Sequence, residues 1–391
     1  MIRIDELGDI LQVCRDARRT LHRYPETGGQ EIRTCEYLER FLTGLGLEVH
    51  RFQNCFGLMA VMRGPGQGCV AVRADMDALP IQESPEHEIC SENPGIMHAC
   101  GHDFHMAMAL GSAMWFARHP EKVRGTIKWL FEPMEETIGG ARLMAEQGCM
   151  ENPHVDYIIG QHVNPSYPCG TFICKDGYVS GSSDSVLLTV TGEQCHGAYP
   201  HRGVDAIVLA SQVITALQTL ISRTKSPFDP AVLTLGTIEG GQAPNIVCGE
   251  VRLRGTLRVL STTAREELIR KAQGLVKSVA EGMGGRGEIL FQPGCPALWN
   301  DPDTYAVAVE AAREVLGDSG LIARDMPSLG VESFSYLLEN SKGVFYDLGS
   351  GISTALHTPT FIAQEEVLGI GIAIQCNTLS LLMAHDREVE P

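Results

Sequence analysis

Cys69-Val70-Ala71-Val72-Arg73 is a short apolar run that leads directly into Ala74-Asp75-Met76-Asp77. The run is strand-length and rich in Val, and too continuous for a strand with one face in water. That pattern suits a strand buried on both faces of a parallel or mixed sheet. Three further runs read the same way: Ile127 to Phe131, Tyr157 to Ile159 and Val344 to Tyr346. Helical stretches separate the four, so the fold class is α/β: a mixed, mostly parallel sheet flanked by helices.

Each run is followed by residues able to ligate a metal or move a proton. After the first come Asp75 and Asp77, then Met97-His98-Ala99-Cys100-Gly101-His102-Asp103. After the second comes Glu132-Pro133-Met134-Glu135-Glu136, with Gly139-Gly140 behind it. After the third comes Gly160-Gln161-His162, and after the fourth Leu348-Gly349 and then His357. Ligands of open α/β sheets collect beyond the carboxyl ends of the strands, so the four clusters are expected to meet. Taken singly, each has a plainer reading. Cys100 and His102 suit Zn, Mn, Co or Ni if an extended loop points both to one side, or are buried structural residues. Glu135-Glu136 divide labour between metal and proton, or form a solvated acidic turn. His162 and His357 alone read as satisfied core or loop histidines. Convergence favours the functional reading.

From about Ser185 the pattern changes. Strand (Val186 to Val190), helix (Val204 to Ser222), strand (Ala231 to Ile238), strand (Val251 to Val259), helix (Thr263 to Gly282) and strand (Gly287 to Phe291) follow in order. This β-α-β-β-α-β order is that of a ferredoxin-like α+β unit. Turn-forming residues border it, giving a metal-binding catalytic domain of residues 1–182 and 294–391 and an inserted lid or dimerisation domain of 183–293. Two domains also suit the 391 residues.

Composition narrows the partners. The chain carries 31 basic and 48 acidic residues, a formal charge of −17. A phosphate backbone needs a basic face, so nucleic acid and anionic membrane are not expected partners. Met1 to Arg19 is charged throughout and lacks the regions of an export signal, and Val367 to Ala384 reads as a packed helix with no membrane role. The 13 cysteines are scattered with no C-x-x-C pair, as expected of reduced thiols in a cytoplasmic protein.

Longer motifs carry a resemblance. Leu21 to Glu26 (LHRYPE), Arg73 to Ile81 (RADMDALPI), Met97 to His105 (MHACGHDFH), Phe131 to Ala141 (FEPMEETIGGA), His196 to His201 (HGAYPH), Ala243 to Asn245 (APN) and Gly255 to Arg258 (GTLR) occur in family order. The chain resembles the aminoacylase/carboxypeptidase-type metallopeptidases, in the branch of hippurate hydrolases, auxin-conjugate hydrolases and N-acetyldiaminopimelate deacetylases. The resemblance implies two divalent ions, manganese or zinc first and cobalt or nickel next, on Cys100, His102, Glu136, His162 and His357, with Cys100 bridging. It implies Glu135 as general base and His196 as donor to the oxyanion, which calls for domain closure or a partner subunit. Asn245 and Arg258 would contact the substrate carboxylate, although Arg252 and Arg254 share the strand and Arg258 also reads as part of its solvated face. Asp75 and Asp77 would orient ligands or be structural; His98 and His105 read as helix-start or packing residues, with a catalytic role as the alternative. The expected reaction is attack of a metal-bridging hydroxide on the amide of a small N-acyl amino acid, in a homodimer. A dipeptidase or carboxypeptidase of the same fold and a non-catalytic metal-binding protein are the alternatives; a two-metal phosphoesterase lacks support, with no phosphate-cradling loop in view.

One position departs from the pattern. The family usually has Gly-Ser-Glu-Asp-Phe where this chain has Gly330-Val331-Glu332-Ser333-Phe334. A serine stands where an acid is usual, and altered substrate choice or metal affinity is the expectation.

Overall fold

The computed structural model describes residues 1–137 and 139–385. Contacts divide the chain into two units: Met1–Val179 with Trp299–Met326 and Glu332–Pro391, and Ser180–Leu298 with Pro327–Val331. The turn-rich borders at 183 and 293 lie a few residues inside this division.

The first unit holds an eight-stranded sheet built from β1 (Glu48–Arg51), β2 (Leu58–Arg63), β3 (Cys69–Asp75), β4 (Thr126–Glu132), β5 (Tyr157–Asn164) and β6 (Phe172–Cys174), completed by two later strands. A short ladder pairs β7 (Gly177–Ser180) with β12 (Leu298–Asn300). The later strands are β13 (Leu321–Ala323) and β14 (Lys342–Gly349), and the sheet order is β1-β2-β4-β3-β5-β14-β6-β13. The central four, β4, β3, β5 and β14, are mutually parallel, so their carboxyl ends lie side by side. These are the four runs read from the sequence. Successive strands leave β3 first to the β4 side and then to the β5 side, and such a reversal is where an α/β sheet opens a crevice.

Among the described residues this unit has six α-helices: α1 (Ile10–Arg23), α2 (Ile32–Gly44), α3 (His102–Arg118), α4 (Gly140–Glu146), α7 (Pro302–Leu316) and α8 (Glu366–His385). Helix α3 is buried from His102 to Phe116, packed on β3 and β5 and covered by α1 and α8. A helix enclosed on all sides has no need of a polar face, and its sequence has almost none. Helix α8 is equally apolar, and 83% of its Glu366–Ala384 window is buried within the fold. By length and composition both that window and Ala206–Thr224 could cross a membrane.

The second unit has its own core. Strands β8 (Ser182–Thr191), β9 (Ala231–Gly240), β10 (Glu250–Val259) and β11 (Arg286–Pro293) form an antiparallel sheet in the order β11-β8-β10-β9, with α5 (Ala206–Thr219) and α6 (Thr262–Gly282) packed on it. Numbered within the unit the order is 4-1-3-2, the ferredoxin-like arrangement.

The start of α3 is braced by a buried charge network. His22 places Nδ1 2.8 Å from Asp103 Oδ2 and Nε2 2.9 Å from Glu83 Oε1. Carboxylates only accept, so both ring nitrogens donate and the ring is an imidazolium. Burial pushes the Glu83 carboxyl up, but His22, His87 and the Ser91 amide hold it at about 2. A depressed folded pKa contributes stability that is complete above the unfolded value and lost as pH falls through the folded one. Glu83→Gln is therefore expected to cost about 3 kcal/mol at pH 7. In urea unfolding followed from pH 7 downwards, the gap between the two proteins should close between about 4.5 and 2. A gap independent of pH would contradict this account.

Candidate metal centre

The donor atoms gather at the carboxyl ends of β3, β4, β5 and β14. Cys100, His102 and His162 offer one donor atom each within 4.8 Å of one another. Cys100, Glu136 and His357 do the same, as do His102, Glu135 and Glu136. Cys100 is common to the first two groups. Its Sγ lies 3.3 Å from His162 Nε2 and 3.3 Å from His357 Nε2, and His357 Nε2 lies 3.1 Å from Glu136 Oε1.

Backbone geometry explains how each side chain arrives. Cys100 and His102 do not flank an extended residue, as the sequence reading supposed. Gly101 between them is left-handed, at φ 82°, and forms the N-cap of α3. A Cβ there would stand 2.3 Å from Val163 Cγ2, so the turn that presents both ligands needs glycine. His162 sits near the end of β5, and its Nδ1–H donates to Val163 O at 2.7 Å. That bond fixes the tautomer and leaves the Nε2 lone pair towards Cys100. His357 is left-handed at φ 62°, and its amide donates to Ala99 O at 2.8 Å. A left-handed histidine whose ring meets both Cys100 and Glu136 is a common mark of a functional site.

Glu135 and Glu136 are held by their own main chain. Met134 before them is also left-handed, at φ 55°. Its amide donates to Glu31 Oε1 at 2.8 Å, while the amides of Glu135 and Glu136 donate to Asp77 Oδ1 and Oδ2 at 3.0 and 3.1 Å. Two buried carboxylates thus clamp three consecutive N–H groups. Burial pushes the Glu31 carboxyl up to about 7. Sequence reading missed Glu31, because nothing near it in the chain marks a partner more than a hundred residues away.

Asp75 and Asp77 surround His102. Neither His102 nitrogen completes a hydrogen bond: Nδ1 lies 3.5 Å from Asp77 Oδ1, and Nε2 lies 3.7 Å from Asp75 Oδ2 and 4.0 Å from Glu136 Oε1. Burial disfavours its charged form, yet Asp75 and Asp77 drive its pKa well up. His105 is fully used, with Nδ1–H donating to Asp75 Oδ1 at 2.6 Å and Nε2 accepting from Val163 N at 2.9 Å. It ties α3 to β3 and β5. His98 is buried with neither nitrogen paired, and burial lowers its pKa to about 4.

Electrostatics separate the two adjacent glutamates. Burial, with the Glu332 charge beside it, drives the Glu135 carboxyl well above the usual range, against the pull of Arg73 and His102. Burial also raises Glu136, but His357 and His102 pull it below the usual value. The Cys100 thiol is pushed far up by burial, so a thiolate there requires a cation in contact.

His196, Asn245 and Arg258 belong to the second unit. His196 and Asn245 are exposed and held together by Gly197 N donating to Asn245 O at 2.8 Å. The Ala198 amide donates to His196 Nδ1 at 3.1 Å, which leaves Nε2 as the protonated, outward nitrogen of the neutral ring. Arg258 is half-buried and gives Nη1 to Leu329 O at 2.9 Å, whereas Arg252 and Arg254 are exposed.

Gly101→Ala tests the ligand turn. A left-handed alanine with its Cβ against Val163 is expected to cost about 2–5 kcal/mol. Urea unfolding checks this, and an unchanged midpoint would mean the turn relaxes freely.

Comparison with known proteins gives the family. Residues 71–380 match peptidase family M20/M25/M40. A Synechocystis protein named "Probable hydrolase sll0100" is 38% identical, over 91% of this chain and 92% of its own length. The N-acetyldiaminopimelate deacetylase of Bacillus velezensis is 33% identical over 93% and 96%. Among solved structures, the Bacillus subtilis YXEP protein, described as a dinuclear metal binding peptidase from the M20 family, superposes with a TM-score of 0.85 at 29% identity, covering 96% of this chain and 98% of its own. With a family match over most of its length and relatives this similar, the chain belongs to peptidase family M20/M25/M40.

Proposed function

We propose that the chain is a dinuclear metal-dependent amidohydrolase that cleaves the amide bond of N-acyl amino acids. One observation carries the reading: Cys100 is shared by two donor groups, with His162 on one side and Glu136 and His357 on the other. A thiolate placed between two such sets is suited to bridge two ions, with His102 completing the ligands. The donor set fits that use. His102 is buried with both nitrogens unsatisfied, and His162 is held in the tautomer that offers Nε2. The nitrogen and sulfur donors suit zinc, and manganese, cobalt or nickel fit the same mixed set. When bound, the ions would lower the pKa of a water and polarise the scissile carbonyl.

The remaining steps fall to side chains. Glu135 shares a group with His102 and Glu136, within reach of a water held there. It takes the proton as the water attacks and passes it to the leaving nitrogen. Surroundings that favour its protonated form suit the second half of that task. His196, with Nε2 free to donate, stabilises the oxyanion, a contribution typically of about 3–4 kcal/mol. Asn245 beside it, and Arg258, are assigned to the substrate carboxylate. Asp77 and Asp75 orient His102 and the Glu135-Glu136 turn. The substrate class rests on the deacetylase relative above, whose named substrate is an N-acylated amino acid. A cytoplasmic homodimer is part of the same reading: β9 is an edge strand with Ile238 exposed, and Ile207 and Val208 are exposed on α5.

The test is amine release from N-acetyl, N-benzoyl and indole-acetyl amino acids, with dipeptides in the same panel and a chelator arm. Chelator-sensitive release from the N-acyl compounds is expected, and release from dipeptides alone would transfer the reading to a dipeptidase. Glu135→Gln should keep its metal by elemental analysis and lose turnover; a variant that keeps most of its rate removes Glu135 as the base. His196→Ala should lower kcat by about 10²–10³-fold. Light scattering should give the mass of a dimer, and Ile238→Asp that of a monomer.

A further inference from the structure

Arg73 is fully buried two residues before Asp75 on β3, and each nitrogen of its guanidinium has a partner. Nε meets Glu132 Oε2 at 2.6 Å and Nη1 meets Asp75 Oδ2 at 2.7 Å. Nη2 faces Glu332 Oε1 at 3.1 Å and donates to Ser333 Oγ at 3.0 Å. Ser333 in turn donates its hydroxyl proton to Glu132 Oε1 at 2.6 Å, and the Ala141 amide donates to the same oxygen at 2.9 Å. One cation therefore faces three carboxylates, and every polar atom of Glu132 and Ser333 has a partner of the right kind.

Ser333 is the position where the family usually carries an acid. A carboxylate there would lie against Glu132 with no proton to share, a fourth negative group around one fully buried guanidinium. A buried carboxylate pair of that kind cannot both ionise. The hydroxyl is what lets residue 132 be a glutamate, because it accepts from Arg73 and donates to Glu132 at once.

We infer that Glu132 and Ser333 are a coupled pair of positioning residues: Glu132 supplies the counter-charge, Ser333 bridges it to the guanidinium, and the pair anchors Arg73. Arg73 in turn sets Asp75, which faces His102 and accepts from His105. With Glu132 beside it, the neutral Ser333 leaves Arg73 fully counter-charged, and the departure at this position carries no loss of the metal centre. The inference rests on the reading of His102 as a ligand. A charge-conserving exchange, Glu132→Gln with Ser333→Asp, keeps one carboxylate and one neutral donor, since the glutamine amide can donate to the new aspartate while its oxygen still accepts.

The experiment compares the wild-type chain, Glu132→Gln, Ser333→Asp and the double variant, by zinc titration calorimetry, by thermal unfolding, and by kcat and KM on whichever N-acyl amino acid is turned over. Each single variant is expected to lose about 10–100-fold in zinc affinity, the usual effect of disturbing groups behind a ligand. It should lose kcat more than KM. The double variant is expected to return to within about threefold of wild type, a non-additivity that contacting residues show and independent ones do not. Losses that simply multiply in the double variant overturn the inference. If Ser333→Asp alone does not fold, a folded double variant with wild-type zinc affinity supports the coupling, and an unfolded one overturns it. The zinc and unfolding arms need no substrate. A chain that binds zinc with the expected coupling but hydrolyses nothing would therefore contradict the proposed reaction and leave this pair standing.

Discussion

A buried thiol with three imidazoles and a carboxylate around it is the constraint on which the rest of this structure turns. His102 has no exposed surface and no hydrogen bond to either nitrogen, and Cys100 is nearly as enclosed. Leaving such groups buried and unpaired costs free energy that a native fold does not ordinarily carry. Bound divalent ions would reverse the balance, favouring the thiolate, neutralising the carboxylate and giving the imidazole lone pairs a partner. Much of the surrounding architecture serves to hold five side chains from four strand ends against one another.

That holding is done mainly by carboxyl groups behind the donors. Asp77 takes the two amides that present Glu135 and Glu136, and Glu31 takes the amide before them. Asp75 stands between His102, His105 and Arg73. Arg73 is the cation that makes this density of carboxylates tolerable, and the buried pairs around it show no unpaired charge. Breaking one partner of such a set is far more costly than replacing the set as a whole. The left-handed residues Gly101, Met134 and His357 lie at the same place, so backbone strain and ligand presentation coincide.

Much of this could be read from the chain, for identifiable reasons. Buried parallel strands leave unbroken apolar runs, and the polar residues that follow them stand out by contrast, so β3, β4, β5 and β14 and their clusters were visible. The second unit was visible because its six elements alternate in a pattern with few other solutions. What escaped was of two kinds. Strands β3 and β5 run on to Asp75 and Asn164, past the apolar runs, because their last polar residues are paired inside the fold, and hydropathy counts them as exposed. Glu31, Glu132 and the segment Pro327–Val331, which joins the second unit through Ser328 O and Gly330 O accepting from Gly181 N, depend on partners distant in sequence. The turn at Gly101 was misread because spacing alone does not distinguish an extended residue from a left-handed one.

The central claim is that Cys100 joins two ions. X-ray absorption at the metal edge of the zinc-loaded protein, with elemental analysis of the same sample, addresses it directly. The account predicts two ions per chain, each with one sulfur at about 2.3 Å and a second metal at about 3.5–4 Å. A single ion per chain, or a shell of nitrogen and oxygen alone, would contradict it.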